Sequence, residues 1–186
     1  MNYIQALILA IIEGLTEFLP VSSTGHMVIA SSIMGIAEDD FVKLFTIAIQ
    51  LGAILAVVVV YWKKFINLNS FAFYLKLGIA VIPALLFGYI LNDFIDSKLS
   101  SPIFIAVILL LGGIVLLFID KLFKNPTIND EKDISNGTAF KIGLYQVLAV
   151  CFPGLSRSAA TIIGGMQQKL TKNAAAEFSF FLAVPT

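Results

Sequence analysis

Three stretches of this chain, at roughly 41–62, 71–91 and 102–119, are apolar over almost their whole length. A bilayer core is crossed by ~20 predominantly apolar residues in helical form. Inside it every backbone amide must find a partner within the segment, which leaves helices or closed barrels. Lone polar residues, Gly and Pro are the only interruptions here, and membrane helices tolerate them. The composition agrees: 59% of the 186 residues are hydrophobic and 13% are charged, against ~45–50% and ~25% in soluble domains. The expected fold class is all-α, a polytopic membrane protein.

Lys and Arg total 12 and so do Asp and Glu, a balance that gives no sign of a nucleic-acid partner. Cys151 is the single cysteine, which excludes an intramolecular disulfide and leaves it as a small apolar filler. The start MNYIQALILAII has no basic n-region and no A-x-A site after it, so it reads as a first helix rather than a cleaved signal peptide. The positive-inside rule places Lys63–Lys64 and the loop 120–137, with Lys121 and Lys124, in the cytoplasm. It places the acidic turn Glu38–Asp40 and the segment NDFIDSKLSS, carrying Asp93, Asp96 and Lys98, outside.

The remaining hydrophobic regions, 3–36 and 138–170, are each broken near the middle. The breaks read Pro20-Val-Ser-Ser-Thr-Gly and Pro153-Gly-Leu-Ser-Arg-Ser. Proline blocks helix continuation, and each half is too short to cross, so both regions are expected to be re-entrant broken helices. Aligning Pro20 with Pro153 sets an offset of 133 residues, at which Ser23 meets Ser156, Glu13 meets Gln146 and Phe45-Thr46 meets Phe178-Ser179. Three spans separate the regions, so they enter from opposite sides, as inverted-topology repeats do. The expected organisation is a first repeat at 1–133 and a truncated second repeat at 134–186, with the next span starting at 174–186. A complete pair needs about 266 residues, which predicts roughly three further spans beyond FFLAVPT.

The polar groups concentrate at the breaks. Glu13 and Glu17 share a helix face, and an ionisable group at the bilayer centre costs at least ~2.5–3.5 kcal/mol on insertion scales. Two such groups one turn apart call for a cation or a shared proton; the plainer reading is a polar stripe at an aqueous interface. Ser22, Ser23 and Thr24 at a restarting helix form an anion site, or serve only as caps. His26 is either a satisfied structural histidine or an acid, base or nucleophile. Arg157, between Ser156 and Ser158 and a turn before Thr161, suits bidentate phosphate contact; an ion pair with Glu13 or Glu17 is compatible with that. Gly164-Gly165 permits close helix packing. This set fits phosphoryl chemistry better than sugar or ion transport, and a divalent metal would neutralise Glu13 and Glu17 while polarising phosphate oxygens.

EGLTEFLPVSSTGH at 13–26 resembles the glutamate-rich motif of the bacterial undecaprenyl-diphosphate phosphatases, the bacitracin-resistance family, and PGLSRSAAT at 153–161 resembles that family's second motif. The similarity extends over the whole chain, including AAEFSFFLAVP at 175–185. The resemblance implies removal of one phosphate from a C55 isoprenoid diphosphate at the outer face of the bacterial plasma membrane, which recycles the lipid carrier of cell-wall synthesis. It implies a divalent cation, Mg or Ca, and Glu13 and Glu17 in metal binding or catalysis. Arg157 is implied in diphosphate binding, with Ser22, Ser23, Thr24, Ser156, Ser158 and Thr161 as the neighbouring phosphate-binding hydroxyls. His26 and Ser23 both stand as nucleophile or proton partner, with a lean to His26 as nucleophile or acid–base and Ser23 orienting phosphate. The expected partners are the polyprenyl diphosphate and the surrounding lipids, and a homodimer is compatible with them. The rival reading is a transporter or polyprenyl-phosphate flippase using the same midplane site.

Overall fold

The computed structural model describes residues 1–66, 71–99 and 101–186, with the side chains of 96–99 and 120 also outside the description. The placement of Asp96 and Lys98 therefore lies outside the described side chains, as the turn at 67–70 lies outside the described residues. Ten α-helices are present among the described residues: α1 (Tyr3–Thr16), α2 (Ser23–Ile33), α3 (Asp40–Val60), α4 (Trp62–Ile66), α5 (Phe71–Ile90), α6 (Asn92–Leu99), α7 (Pro102–Leu122), α8 (Asn136–Cys151), α9 (Arg157–Gln167) and α10 (Lys172–Ala183).

Three helices are long and apolar enough to cross a membrane, Asp40–Val60, Phe71–Ile90 and Pro102–Ile119, close to the expected spans. The first stops at Val60 because Tyr61 leaves helical geometry, and the short α4 follows. The segment after α5, placed outside by its charges, is helical as α6. Outward faces of α3 and α7 carry large apolar side chains such as Leu51, Leu55, Leu110 and Leu117, as helices facing lipid do. By contrast α5 is the inner span, with 39% of its apolar window buried against 11% for α3 and 6% for α7. It lies along α8, and a Cβ on Gly143 would come within 2.3 Å of the Ala80 carbonyl oxygen. Small residues allow this approach, the usual device where no hydrophobic drive separates helix from lipid.

The largest core cluster gathers around Phe181, which is fully buried. Its ring meets Tyr61, Phe73 and Phe65 edge-on at centroid distances of 5.0, 5.3 and 5.8 Å, the preferred geometry for aromatic pairs. Lys64 sits 4.4 Å over the same ring and pairs with Glu131 at 2.6 Å. Lys76 donates to the Lys132 carbonyl at 2.7 Å. These bonds hold the Lys63–Lys64 turn and the loop between α7 and α8 at one end of the bundle.

The two broken regions share a backbone plan. α1 ends at Thr16 and α8 at Cys151, each a few residues before its proline. α2 and α9 then restart with 11 residues apiece, capped by Ser22 and Ser156. Both end on a left-handed residue, Gly35 at φ 68° and Lys169 at φ 70°. The closing bonds match: Ile36 N–H to the Ser31 carbonyl at 2.9 Å, and Leu170 N–H to the Gly165 carbonyl at 3.0 Å, the usual way of ending a helix in a left-handed turn. The ends of each region are tied together. Met1 ammonium meets Asp39 at 3.1 Å, while Thr127 and Ile128 N–H groups donate to the Lys169 carbonyl at 2.9 and 3.0 Å. Asp39 precedes α3 and Lys64, bonded to the second loop, follows it, so the two pairs of ends lie at opposite ends of that span. The tips meet between them, with the Ser158 hydroxyl donating to the Leu19 carbonyl at 3.2 Å.

Candidate active site

The meeting of the tips brings opposite charges together. Glu17 caps the C-terminus of α1, its N–H bonded to the Glu13 carbonyl at 2.9 Å. Arg157 is the first residue of α9, where the helix dipole disfavours a cation. Its place is explained by its partner: Nη2 donates to Glu17 Oε1 at 3.1 Å across 140 residues of sequence. The other carboxylate oxygen of Glu17 accepts from the Ser23 hydroxyl. Glu17 thus joins a hydroxyl from one tip to a guanidinium from the other. Of the two ion pairs open to Arg157 in the sequence, the one with Glu17 forms.

One serine in each tip is consumed by capping. Ser22 accepts from Gly25 N–H at 3.2 Å and Ser156 from Ala159 N–H at 3.1 Å. Ser22 also takes the left-handed conformation, φ 65°, which turns the chain so that Ser23 opens α2 facing Glu17. Ser158 lies 2.9 Å from the Ser156 hydroxyl. Ser22, Ser23, Thr24, Ser156, Arg157, Ser158 and Glu17 all line a cavity of about 440 Å³ between the tips.

Three expected site residues, His26, Thr161 and Glu13, do not line this cavity. His26 lines a neighbouring, mainly apolar cavity of about 530 Å³ walled by α7 and by Pro20 and Val21; the cavities share Gly154, Leu155 and Ser156. Its Nδ1 is 2.8 Å from the Ser22 carbonyl oxygen. A carbonyl only accepts, so Nδ1 carries a proton and donates it to Ser22. Thr161 is buried between α9 and α10, its hydroxyl within 3.0 Å of the Arg157 carbonyl and 2.7 Å of the Ser179 hydroxyl. It buttresses the start of α9 instead of forming the cavity wall, because the helix turns that position toward α10.

Sequence reasoning missed the polar wall residues Gln50, Gln146 and Thr186. Gln50 of α3 donates through Nε2 to Thr24 Oγ1 at 2.8 Å; its only signal was an amide deep in an apolar span. Gln146 of α8, noted only as the counterpart of Glu13, is 1% exposed, and its Oε1 has no hydrogen-bond partner among the described residues.

Glu13 is buried at 1% exposure, and neither carboxylate oxygen has a hydrogen-bond partner among the described residues. Unsatisfied buried acceptors are costly, and Arg157 offsets only one of the two carboxylates. The donor set therefore fits a cation at Glu13 and Glu17. Among the described residues there is no cluster of three or more His, Cys, Asp or Glu ligands. A hard divalent ion would complete its shell with oxygens of water or phosphate.

Residues 6–186 match the family model described as bacitracin resistance protein BacA. The chain belongs to this family. Undecaprenyl-diphosphatase of Flavobacterium psychrophilum is 61% identical over 186 residues, covering all of this chain and 69% of the relative. The proteins of that name from Flavobacterium johnsoniae and Bdellovibrio bacteriovorus are 58% and 47% identical, again over the whole chain and over 69% and 70% of their own lengths. Membership of the BacA family and the three apolar helices together make this a polytopic helical membrane protein.

Proposed function

We propose that this BacA-family chain hydrolyses undecaprenyl diphosphate to undecaprenyl phosphate and inorganic phosphate. The observation that carries the reading is the Ser23–Glu17–Arg157 chain of bonds at the cavity between the tips, in a protein 61% identical to a named undecaprenyl-diphosphatase. Arg157 binds the terminal phosphate through its guanidinium fork, and the backbone N–H groups at the start of α9 complete the anion cradle.

Ser23 is the nucleophile in this reading, in place of the lean toward His26, because Ser23 lines the cavity and is bonded to a base. Glu17 takes the Ser23 proton as Oγ attacks the terminal phosphorus, and the bond from that phosphorus to the bridging oxygen breaks, releasing undecaprenyl phosphate. Water then attacks the phosphoserine, its surplus proton staying on the phosphate, and the phosphorus–Oγ bond breaks as protonated Glu17 returns its proton to Ser23 Oγ, freeing inorganic phosphate. His26 acts through the Ser22 carbonyl, holding the left-handed turn that presents Ser23. Glu13 and Glu17 are the residues that would hold a divalent cation, Mg or Ca, which when bound offsets carboxylate charge and polarises phosphate oxygens.

The two broken regions are re-entrant and inverted in this reading, and the active site opens to the outer face of the plasma membrane. What supports this is the tying of their ends at opposite ends of α3, with the acidic turn at one and Lys64 and the α7–α8 loop at the other.

The test is to supply the protein in lipid nanodiscs with undecaprenyl diphosphate and Mg and to follow inorganic phosphate. Release that vanishes in Ser23→Ala is the expected result. No release from the wild type overturns the reading, and transfer of intact diphosphate lipid across liposomes would replace it with a flippase.

A further inference from the structure

We infer that Gln50 is a positioning residue for substrate, fixing the Thr24 hydroxyl as a hydrogen-bond donor to the bound phosphate; this rests on the phosphatase reading above. Gln50 is the deepest polar side chain of α3: the ten residues that follow it to Val60 are all apolar or glycine. An amide at such depth in a span is costly unless it finds a partner. The partner is Thr24 Oγ1, to which Nε2 donates at 2.8 Å. The bond joins two helices whose residues are 26 apart in sequence, and both side chains line the cavity that holds Arg157 and Ser23.

The direction of the bond gives it a function. A threonine hydroxyl has one proton and two lone pairs. With one lone pair occupied by the Gln50 amide, the proton is free to point into the cavity. Thr24 is the second residue of α2 and exposed there. Without Gln50 that bond no longer fixes the rotation of the hydroxyl, and its proton could point away from the cavity. Gln50 therefore contributes to binding an anion without touching it. Its counterpart at the 133-residue offset is Ala183, so the device belongs to one half of the site only.

A double-mutant cycle tests this with shape-conserving changes, Gln50→Met and Thr24→Val, assayed for phosphate release and for binding of a non-hydrolysable methylene-diphosphonate analogue of the lipid. Each single change is expected to raise KM and the analogue Kd about tenfold, the worth of one hydrogen bond to a charged group, with kcat within about twofold. The double variant is expected to equal either single one, since both remove the same bond. Gln50→Glu, which accepts where the amide donates, should weaken binding more than Gln50→Met in the wild type, and by a smaller factor in the Thr24→Val background. Additive effects of Gln50→Met and Thr24→Val, or a fall in kcat with KM unchanged, overturn the inference. A wild type that binds the analogue but releases no phosphate would instead defeat the phosphatase reading.

Discussion

The two tips share a backbone and differ in charge. Each is a helix, a proline break, a serine cap and an 11-residue helix ending in a left-handed turn. At the first, the approaching helix brings Glu13 and Glu17; at the second, it brings neutral Gln146, and Arg157 opens the helix that follows. A like-charged pair of tips would repel where they meet, and a neutral pair would offer an anion no cation. The shared backbone plan thus shapes the cavity, and its charges come from the positions where the two regions differ.

That contrast can be broken most severely at the serines. Ser23→Ala is expected to lower kcat by about 10³-fold or more, as loss of a nucleophile does. Ser156→Ala, at the matching position, removes a cap worth ~1 kcal/mol and should leave kcat within a few-fold. Thermal unfolding in detergent, run beside phosphate release, separates the two. Arg157→Ala comes next. It strips the cradle of its cation and leaves Glu17 unpaired, so kcat/KM should fall about 10²–10³-fold. Arg157→Lys should recover only part of this, because an ammonium lacks the planar fork.

Exchanging the polar groups of the approaching helices probes the cation. Glu13→Gln makes the first tip resemble the second, and the Mg concentration giving half-maximal activity should rise about tenfold, the effect of losing an anionic ligand. Gln146→Glu alone should not lower it, and a titration of activity against Mg reads both.

The smallest effects are expected at the tied ends. The Asp39 carboxyl is held below its ordinary value of 3.8 by the Met1 ammonium first and the Phe41 N–H second. A carboxyl held low in the folded state adds stability above its ordinary value and loses it as pH falls through the folded one. Asp39→Asn should therefore flatten the acid side of the stability profile and leave neutral turnover unchanged. The second region is closed by backbone bonds from Thr127, Ile128 and Thr171, so the protection of those amides relative to free peptide should not change with pH. Hydrogen exchange checks this directly.

Legibility in the sequence followed the range of the force involved. The three spans were readable because lipid demands apolar runs of a fixed length, and the breaks because proline acts on its own neighbours. Ser23, Glu17 and Arg157 stood out as polar groups in apolar surroundings. The helical state of 92–99 was missed, since its polar composition resembles a loop. Gln50 and Gln146 carried too little local signal, each being a single amide whose meaning depends on what packs opposite. His26, read as nucleophile or acid–base, and Thr161, read as a phosphate-binding hydroxyl, lie on helix faces turned away from the cavity that Ser23 and Arg157 line, a placement no local pattern contains.

By itself the sequence determined that the chain is helical, belongs in a membrane and breaks at Pro20 and Pro153, because backbone desolvation and proline geometry act locally. It also supplied the chemical inventory of the site. Only the tertiary structure decided that Arg157 pairs with Glu17 and not Glu13, that Ser23 and not His26 faces the cavity, and that Gln50 bonds Thr24. Those choices depend on which helix faces meet when two tips, 140 residues apart at the ion pair, are packed against α3 and α7, and no local rule contains that information.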